Sequence, residues 1–346
     1  MPIPVQRDQE LSRKALTSWF AGTLGADVTL SEFRGPGATG FSNETLIVDV
    51  TSTGEVATYV VRVAPTGYSL FPDAVFDRQY RVLQALSSTS VPVPKVRWYE
   101  TDASILGAPF FVMDEVIGRV PPDNPPYHMA GWLHDVSPEH RARVWWGAID
   151  TIAELHRLDW RDLGLEFLAG GLTEQLEYYT RWLASIEQSE PVPMARRALA
   201  WLTGHLPDAE QVVLCWGDAR VGNVMYDDDG ERLAVLDWEM VGLGAPAQDV
   251  AWALFLDRHH SEGVETPRLE GFPSTQETIT RYEERSGIRL QDLDFYEVFA
   301  AFRFCVIMAR LALIFKEWDL LPADDGMAQD NTVTRLTERV LAERGA

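Results

Sequence analysis

The chain is poor in cysteine, in positive charge and in long apolar runs. Only two cysteines, Cys215 and Cys305, occur among 346 residues. Both lie in apolar segments, which predicts buried free thiols in a reducing compartment and a cytoplasmic location. Lysine and arginine total 30 against 52 aspartate and glutamate residues, a net charge of −22. This acidity argues against nucleic-acid and anionic-membrane partners and favours a cationic small-molecule partner.

Neither a signal peptide nor a membrane span is predicted. The chain begins Met-Pro-Ile-Pro-Val-Gln-Arg-Asp, which has no apolar centre. The longest apolar run, around 304–315, contains Arg310 and is too short to cross a bilayer. The sequence gives no indication of the oligomeric state.

The segment 212–241 combines apolar runs with polar loops. The runs 212–214 and 232–236 are typical of buried strands. Between them, the Asp-Asp-Asp-Gly sequence at 227–230 predicts a turn that folds the chain back on itself. We therefore expect the polar residues at the ends of these two strands to lie close together.

Asp218, Asn223 and Asp237 are the polar residues in question. Carboxylate and amide oxygens are ligands that Mg²⁺ prefers, and Asn223 with Asp237 could supply them. Phosphoryl transfer also needs a carboxylate that accepts the proton of the attacking hydroxyl, a role that Asp218 fits. The alternative is an acidic hairpin whose Asp and Asn side chains bond only to backbone amides.

A glycine-rich segment precedes two predicted strands near the N-terminus. It contains Gly35, Gly37, Gly40, Ser42 and Asn43. Its G-x-G-x-x-G pattern would mark a dinucleotide site only if a helix followed the third glycine. Instead a strand is predicted over 28–33, before the glycines, and 45–50 and 56–63 alternate as strands do. This predicts a glycine loop between the antiparallel strands 28–33 and 45–50. An ordinary hairpin is the alternative.

Most of the remaining chain predicts helices. Apolar periodicity and capping residues place them over 8–24, 77–86, 137–158, 172–186, 193–206, 275–286, 293–316 and 331–344. Asp249 is interpreted as a carboxylate at a helix start that fixes the loop around Asp218. His156 is interpreted as structural, and His259 and His260 as residues of an exposed loop.

Gly217-Asp218, with Asn223 five residues after the aspartate, and then Asp237-Trp238-Glu239 resemble the catalytic and metal-binding segments of the aminoglycoside phosphotransferase and choline kinase superfamily. Most members carry histidine at the position of Trp216. The resemblance extends over roughly 30–314. It implies an α+β, bilobal protein-kinase-like fold. An N-lobe of antiparallel sheet plus helix, residues 1–117, would bind the nucleotide. A mainly α-helical C-lobe, residues 118–346, would carry catalysis and substrate binding.

The resemblance implies a kinase that uses ATP or GTP, with Mg²⁺, to phosphorylate a hydroxyl of a small molecule. The net charge favours a cationic acceptor, and an aminoglycoside, another amino sugar, choline, a macrolide and an acyl-type metabolite alcohol all stay open. Asp218 would be the base, and Asn223 and Asp237 would hold Mg²⁺. Arg220 would stabilise the transferring phosphoryl group or hold Asp218 or Glu239 by an ion pair. Glu239, on the same strand face as Asp237, would reach the metal through water or bind the cationic acceptor.

For the nucleotide, the resemblance implies contacts in the N-lobe. The loop containing Gly35, Gly37, Gly40, Ser42 and Asn43 would lie over the phosphates. Arg62 stands where kinases have a strand lysine and would bind phosphate, with the neutral Gln79 as its partner; the alternative is an exposed edge residue. The carbonyl of Asp114 and the amide of Val116 would contact the purine.

A catalytically inactive kinase-like protein that binds a nucleotide or another ligand is the alternative function. Trp216, Arg62 and Gln79, which depart from the usual residues, would mark such a protein.

Overall fold

The computed structural model describes residues 7–35, 43–66, 70–71, 76–168, 170–208 and 211–346. They divide into two units. The first is drawn from Met1–Ser87 and Pro94–Val116, and the second from Ser88–Val93 and Ile117–Ala346. The predicted division into residues 1–117 and 118–346 stays a prediction. Ser88–Val93 belongs to the second unit, where the Val235 amide donates to the Pro92 carbonyl at 2.8 Å.

The first unit is a five-stranded antiparallel sheet with helices. Its strands are β1 (Val28–Leu30), β2 (Glu44–Ser52), β3 (Glu55–Val63), β4 (Val96–Glu100) and β5 (Phe110–Asp114), and its helices are α1 (Gln9–Leu24), α2 (Phe76–Leu86) and α3 (Ala103–Leu106). The sheet order is β1-β2-β3-β5-β4, and each neighbouring pair is antiparallel. Asp8 caps α1 by accepting from two backbone amides, and Gly25 ends it in the left-handed conformation.

Arg62 lies on the central strand of this sheet, β3. It is opposite Thr45 of β2 and Phe111 of β5. Its neighbours Val61 and Val63 are 0% exposed and pack in the core beside α1. Because successive side chains alternate between faces, Arg62 projects from the opposite face, where it is half-buried. The alternative of an exposed edge residue is therefore wrong.

The second unit is mainly helical. Its helices are α4 (Trp132–Asp135), α5 (Pro138–His156), α6 (Leu172–Ile186), α7 (Pro193–Gly204), α8 (Pro246–His260), α9 (Thr275–Ser286), α10 (Leu293–Glu317) and α11 (Thr332–Ala342). Its short strands are β6 (Val213–Cys215), β7 (Val224–Tyr226), β8 (Arg232–Val235) and β9 (Gly242–Gly244). A 3₁₀ turn spans Val221–Asn223. Helix α10 packs against α7, α8 and α11, and α5 packs against α9.

The strands pair differently from the prediction. β6 pairs with β9, and β7 pairs with β8. The turn at 227–230 therefore joins β7 to β8. It does not join the strands predicted over 212–214 and 232–236. The Asp227 carboxylate accepts from the amides of Asp229 and Glu231 at 3.0 and 2.8 Å, which closes this turn.

Helix α10 corrects a second prediction. Among the described residues it is the one helix that is long and apolar enough, by length and composition, to cross a membrane. The expectation that no apolar stretch reaches this length is therefore wrong. The physical reason for its composition is packing, because 72% of its most apolar window is buried within the protein, as in the core helix of a globular domain.

Candidate active site

The Asp218 carboxylate lies at the centre of a polar cluster in the second unit, on the loop that follows β6. Its Oδ1 accepts from the indole Nε1 of Trp252 at 2.7 Å. Its Oδ2 accepts from Asn223 Nδ2 at 2.6 Å and from Arg220 Nε at 3.2 Å. The side chain keeps 16% of its surface exposed, so a small molecule can reach it. The carboxylate is held in one orientation and remains accessible.

Asn223 lies at the end of the 3₁₀ turn and is 6% exposed. Its amide nitrogen donates to both the carboxylate and the backbone carbonyl of Asp218. The amide oxygen is therefore directed away from Asp218 and is available as a hard oxygen ligand. The Asn223 carbonyl accepts from the Leu236 amide at 2.8 Å, which brings the residue before Asp237 beside Asn223. The donor set of Asn223 and Asp237 fits Mg²⁺.

Asp237 follows β8 and has a left-handed backbone, with φ at 56°. The indole Nε1 of Trp216 donates to its carbonyl at 3.0 Å and to the carbonyl of Leu236 at 2.9 Å. Trp216 is 0% exposed, so these bonds form away from water. Its indole therefore ties the loop of Asp218 to the backbone of Asp237.

The position of Glu239 differs from its prediction. β8 ends at Val235, and the left-handed turn at Asp237 breaks the alternation that would have placed Asp237 and Glu239 on one strand face. The prediction that Asp237 and Glu239 lie on the same face of a strand is therefore wrong. The Glu239 amide instead faces the Asp237 carboxylate, with nitrogen and Oδ1 3.4 Å apart.

Arg220 bridges two carboxylates. Its Nε donates to Asp218, and its Nη1 donates to Asp123 Oδ1 at 2.6 Å. Burial alone would lower the pKa of Arg220, but the charges of Asp123 and Asp218 outweigh it and raise that pKa. For Asp123, burial acts to raise the pKa, but the Arg220 guanidinium together with His260 and His259 lowers it overall. Arg220 thus holds Asp218 by an ion pair, one of the two roles considered for it.

Asp249 fixes the backbone of the loop that carries Asp218, as predicted. Its carboxylate is 0% exposed and accepts from the amides of Trp216 and Gly217 at 2.7 and 2.9 Å. His156 contacts Asp249 Oδ2 through Nε2 at 3.2 Å and the Tyr282 hydroxyl through Nδ1 at 2.8 Å. His156 is therefore structural, also as predicted.

His156, Cys215 and Asp249 form the one metal-like cluster among the described residues, with ligand atoms within 4.8 Å of one another. Their bonding explains the cluster without an ion. Both Asp249 oxygens accept from backbone amides, both nitrogens of His156 have partners, and the Cys215 thiol faces the Ala245 carbonyl at 3.5 Å. We therefore interpret the cluster as the support of the Asp218 loop.

Gly217 has a backbone that only glycine tolerates here. Its φ is 92°, and a Cβ at this position would lie 2.0 Å from the Met240 carbonyl oxygen. Its own carbonyl accepts from Nη2 of the buried Arg303 at 3.0 Å. The residue before Asp218 is thus fixed by close backbone contact.

The residues predicted to bind the nucleotide lie in the first unit. Gly35 follows the bridge that Arg34 forms with Ile47 of β2, and Asn43, 9% exposed, precedes β2. Asp114 ends β5, where its amide donates to the Lys95 carbonyl at 2.9 Å, and Val116 lies two residues beyond. Gly37, Gly40 and Ser42 lie outside the described residues. Gln79, the proposed partner of Arg62, is 6% exposed on α2. The roles of all these residues stay predictions.

His259 and His260 do not lie on an exposed loop, so that prediction is wrong. They form the end of α8, and His260 is only 5% exposed. Their rings pack on aromatic neighbours: the centroid of His259 lies 5.1 Å from that of Phe304, and His260 lies 4.9 Å from Tyr127. Both residues are therefore helical, and their rings contact the aromatic side chains of the second unit.

Two residues of the cluster were missed by the sequence analysis. Trp252 lies 34 positions after Asp218 along the chain, and Asp123 lies 97 positions before Arg220. No local pattern links them to the loop. One feature of the sequence could have pointed to Trp252. A buried indole N–H needs a hydrogen-bond acceptor, and the apolar residues of its own helix offer few.

Comparisons with known proteins identify the family and the fold of the chain. Residues 36–284 match the model of the phosphotransferase enzyme family. A Ralstonia eutropha structure proposed to be an aminoglycoside phosphotransferase superposes with a TM-score of 0.68 at 26% identity, covering 94% of this chain and 98% of that one. Choline kinase LicA of Streptococcus pneumoniae superposes with a TM-score of 0.61 at 14% identity, covering 95% and 98%.

These likenesses define the class as the α+β, bilobal protein-kinase-like fold, so the predicted fold class is confirmed. The chain belongs to the phosphotransferase enzyme family. The predicted resemblance to the aminoglycoside phosphotransferase and choline kinase superfamily is thereby also confirmed.

The curated relatives are longer proteins. Acyl-CoA dehydrogenase family member 11 of Rattus norvegicus is 30% identical over 338 residues, which cover 94% of this chain and 41% of the rat protein. Probable acyl-CoA dehydrogenase IBR3 of Arabidopsis thaliana is also 30% identical, over 88% of this chain and 39% of that protein. The chain thus spans about two fifths of the length of the curated relatives that it matches.

Proposed function

We propose that this phosphotransferase-family protein moves the γ-phosphoryl group of ATP or GTP to a hydroxyl of a small molecule. The observation that carries the proposal is the Asp218 carboxylate, which three donors hold in place and which stays 16% exposed beside the Asn223 amide. Such a carboxylate can orient a hydroxyl and take its proton.

Asn223 and Asp237 are the residues that would hold Mg²⁺. The ion would neutralise charge on the phosphates that it contacts. In the first unit, Arg62 offers a permanent positive charge and a two-pronged donor suited to phosphate. Gly35, Gly37, Gly40, Ser42 and Asn43 would approach the phosphates, and Asp114 and Val116 the purine. Glu239 would bind the acceptor or reach the ion through water.

The reaction balances with Asp218 as the proton acceptor. The hydroxyl oxygen forms a bond to the γ-phosphorus as the bond to the leaving nucleoside diphosphate breaks. The proton of the hydroxyl passes to the carboxylate of Asp218, which becomes a carboxyl group. Arg220, already paired with Asp218, keeps that carboxylate oriented toward the acceptor.

For the acceptor, the net charge of −22 supports a cationic alcohol. A second candidate class is favoured by the relatives, whose names refer to acyl-CoA dehydrogenases. This class is an alcohol carried on an acyl-type metabolite. The names belong to proteins of which the chain covers about two fifths, so the acyl class is tested beside the cationic one. The buried thiols of Cys215 and Cys305 fit a reducing, cytoplasmic setting, which stays a prediction.

A two-stage experiment tests the proposal. Alcohol-bearing compounds, cationic and acyl-type, are screened by thermal shift with Mg²⁺ and a non-hydrolysable ATP analogue, because a bound acceptor raises the melting temperature by mass action. Compounds that bind are then assayed for ADP release with ATP.

The assay compares wild type with D218N and with D135N, which changes an aspartate whose side chain is 75% exposed. We expect wild type and D135N to release ADP at similar rates. In D218N the rate of ADP release should fall by about a thousandfold or more. Nucleotide binding without release for any bound compound would support the catalytically inactive alternative.

A further inference from the structure

The Asp218 carboxylate presents its two oxygens unequally. A carboxylate has about four lone-pair positions in its plane. Among the described residues, Oδ2 accepts two bonds, from Asn223 Nδ2 at 2.6 Å and Arg220 Nε at 3.2 Å. Oδ1 accepts one, from Trp252 Nε1 at 2.7 Å. One position on Oδ1 therefore has no donor among the described residues, and the side chain as a whole is 16% exposed.

Trp252 is itself held rigidly. It lies on α8, is 2% exposed, and the guanidinium carbon of Arg303 sits 4.5 Å from its ring centroid. Arg303 is 1% exposed, and its Nη2 donates to the carbonyl of Gly217. One buried arginine thus contacts both the indole that bonds to Asp218 and the residue that precedes Asp218. Desolvation strengthens the cation–π contact.

We infer that Oδ1 of Asp218 is the oxygen that takes the hydroxyl proton, and that Trp252 is the positioning residue that fixes it. The inference rests on the proposed kinase function. An indole N–H donates and cannot accept, so it stabilises the carboxylate form and never competes for the proton. With donors on both oxygens, rotation of the carboxylate would break all three bonds.

The proton transfer follows from this arrangement. The acceptor hydroxyl donates to the open position of Oδ1. Its O–H electron pair stays on the oxygen and forms the bond to phosphorus, while the proton passes to Oδ1. The electron pair of the broken P–O bond leaves with the nucleoside diphosphate. No group other than those of the proposed reaction is required.

W252F is the variant that tests this role. It keeps an aromatic ring for the Arg303 contact and removes the N–H donor. W145F is the matched control, since Trp145 is 1% exposed and donates from Nε1 to the Thr278 hydroxyl at 2.9 Å, a comparable buried bond that does not involve the candidate site. Both variants lose one indole hydrogen bond, so a purely structural effect appears in both.

The first measurement is an indole ¹H–¹⁵N spectrum of the full chain, in which W252F and W145F identify two cross-peaks by their disappearance. In D218N, the Trp252 cross-peak should shift upfield because its acceptor loses its charge. The Trp145 cross-peak should stay in place. An unmoved Trp252 cross-peak overturns the inference, whether or not the protein is active.

The second measurement is steady-state ATP hydrolysis with Mg²⁺, in which water replaces the unidentified acceptor. W252F leaves the Asp218 carboxylate freer to rotate away from the attacking hydroxyl, and this lost orientation should lower kcat by about ten- to a hundredfold. KM for ATP should stay within about twofold, because binding does not use this bond. W145F should leave both constants near wild type. An unchanged kcat in W252F contradicts the inference.

If wild type hydrolyses no ATP and phosphorylates none of the screened alcohols, the proposed function fails by itself. The inference that Oδ1 takes the proton then fails with it, while the spectrum still decides whether the indole holds Asp218.

Discussion

The indole nitrogen of Trp216 lies 3.0 Å from the carbonyl oxygen of Asp237, and this bond joins the loop of Asp218 to the residue proposed to hold the metal. The resemblance drawn from the sequence implies histidine as the usual residue at this position. An imidazole donates from a given nitrogen only in one tautomer, whereas an indole N–H always donates. The tryptophan therefore supplies a permanent donor to a backbone that is left-handed at Asp237, with φ at 56°.

Replacing Trp216 by phenylalanine should weaken Mg²⁺-dependent nucleotide binding. The carbonyls of Leu236 and Asp237 lose their shared donor, which costs about 1–3 kcal/mol of stability and loosens the metal residue. We expect nucleotide affinity with Mg²⁺ to fall by about tenfold or more, and affinity without Mg²⁺ to change little. Isothermal titration measures both. W145F should lose similar stability and keep its affinity; equal losses of affinity in both variants would contradict the link to Asp237.

Replacing Gly217 by alanine should disrupt the candidate site. The new Cβ would lie 2.0 Å from the Met240 carbonyl oxygen, on a backbone with φ of 92°. The two effects together should destabilise the protein by about 3–5 kcal/mol, measured by denaturant unfolding. G204A, where a Cβ meets nothing within 4 Å, is the control and should change stability by less than about 1 kcal/mol. Equal stability of G217A and wild type would show that this contact is absent in solution.

Removing the charge of Asp123 should slow catalysis. In the wild-type protein, the Arg220 guanidinium forms ion pairs with both Asp123 and Asp218. In D123N the full guanidinium charge falls on Asp218, which makes that carboxylate a weaker proton acceptor. We expect kcat for phosphoryl transfer, or for ATP hydrolysis, to fall by about three- to tenfold. D135N should match wild type. A faster D123N enzyme would mean that Asp123 restrains the reaction instead of supporting it.

Acid should destabilise the protein through the buried histidines at the end of α8. Burial lowers the pKa of His259 to about 3 and of His260 to about 4, well below the ordinary value of 6.5. The unfolded chain therefore binds these protons first. The stability that the neutral rings contribute is complete above about pH 6.5 and is lost as pH falls toward 4.

The variant H260Q isolates this effect. Lowering the pH from 7 to 5 should reduce the free energy of unfolding of wild type by about 1–2 kcal/mol more than that of H260Q. Denaturant unfolding at the two pH values gives the difference. H134Q changes a histidine whose side chain is 41% exposed, and it should keep the wild-type dependence. Parallel curves for H260Q and wild type would show that His260 is protonated in the folded protein.

The sequence predicted the helices whose apolar spacing and terminal residues lie within one continuous segment of the chain. The helices Leu172–Ile186 and Thr275–Ser286 have the predicted bounds, because their apolar spacing and terminal residues are local. Asp249 was also predicted correctly, since a carboxylate near a helix start is a favourable acceptor for backbone amides. The fold class followed from the resemblance carried by a few loop residues.

The remaining features depend on contacts between distant residues. β7 is only three residues long, Val224–Tyr226, so periodicity cannot mark it, and the hairpin was given the wrong first strand. The left-handed turn at Asp237 has no glycine to signal it, which is why Glu239 was placed on a strand face. Trp252 and Asp123 are brought to the candidate site by the tertiary fold of the second unit, 34 and 97 positions along the chain from the residues that they contact.

Isothermal titration of a non-hydrolysable ATP analogue, with and without Mg²⁺, tests the central claim most directly. The comparison uses wild type, D237A, and D228A as a control, since the Asp228 side chain is 98% exposed on the β7–β8 turn. We predict that Mg²⁺ strengthens binding to wild type and D228A and leaves binding to D237A unchanged. Binding to D237A that still depends on Mg²⁺ as it does in wild type, or wild-type binding that ignores Mg²⁺, would contradict the account.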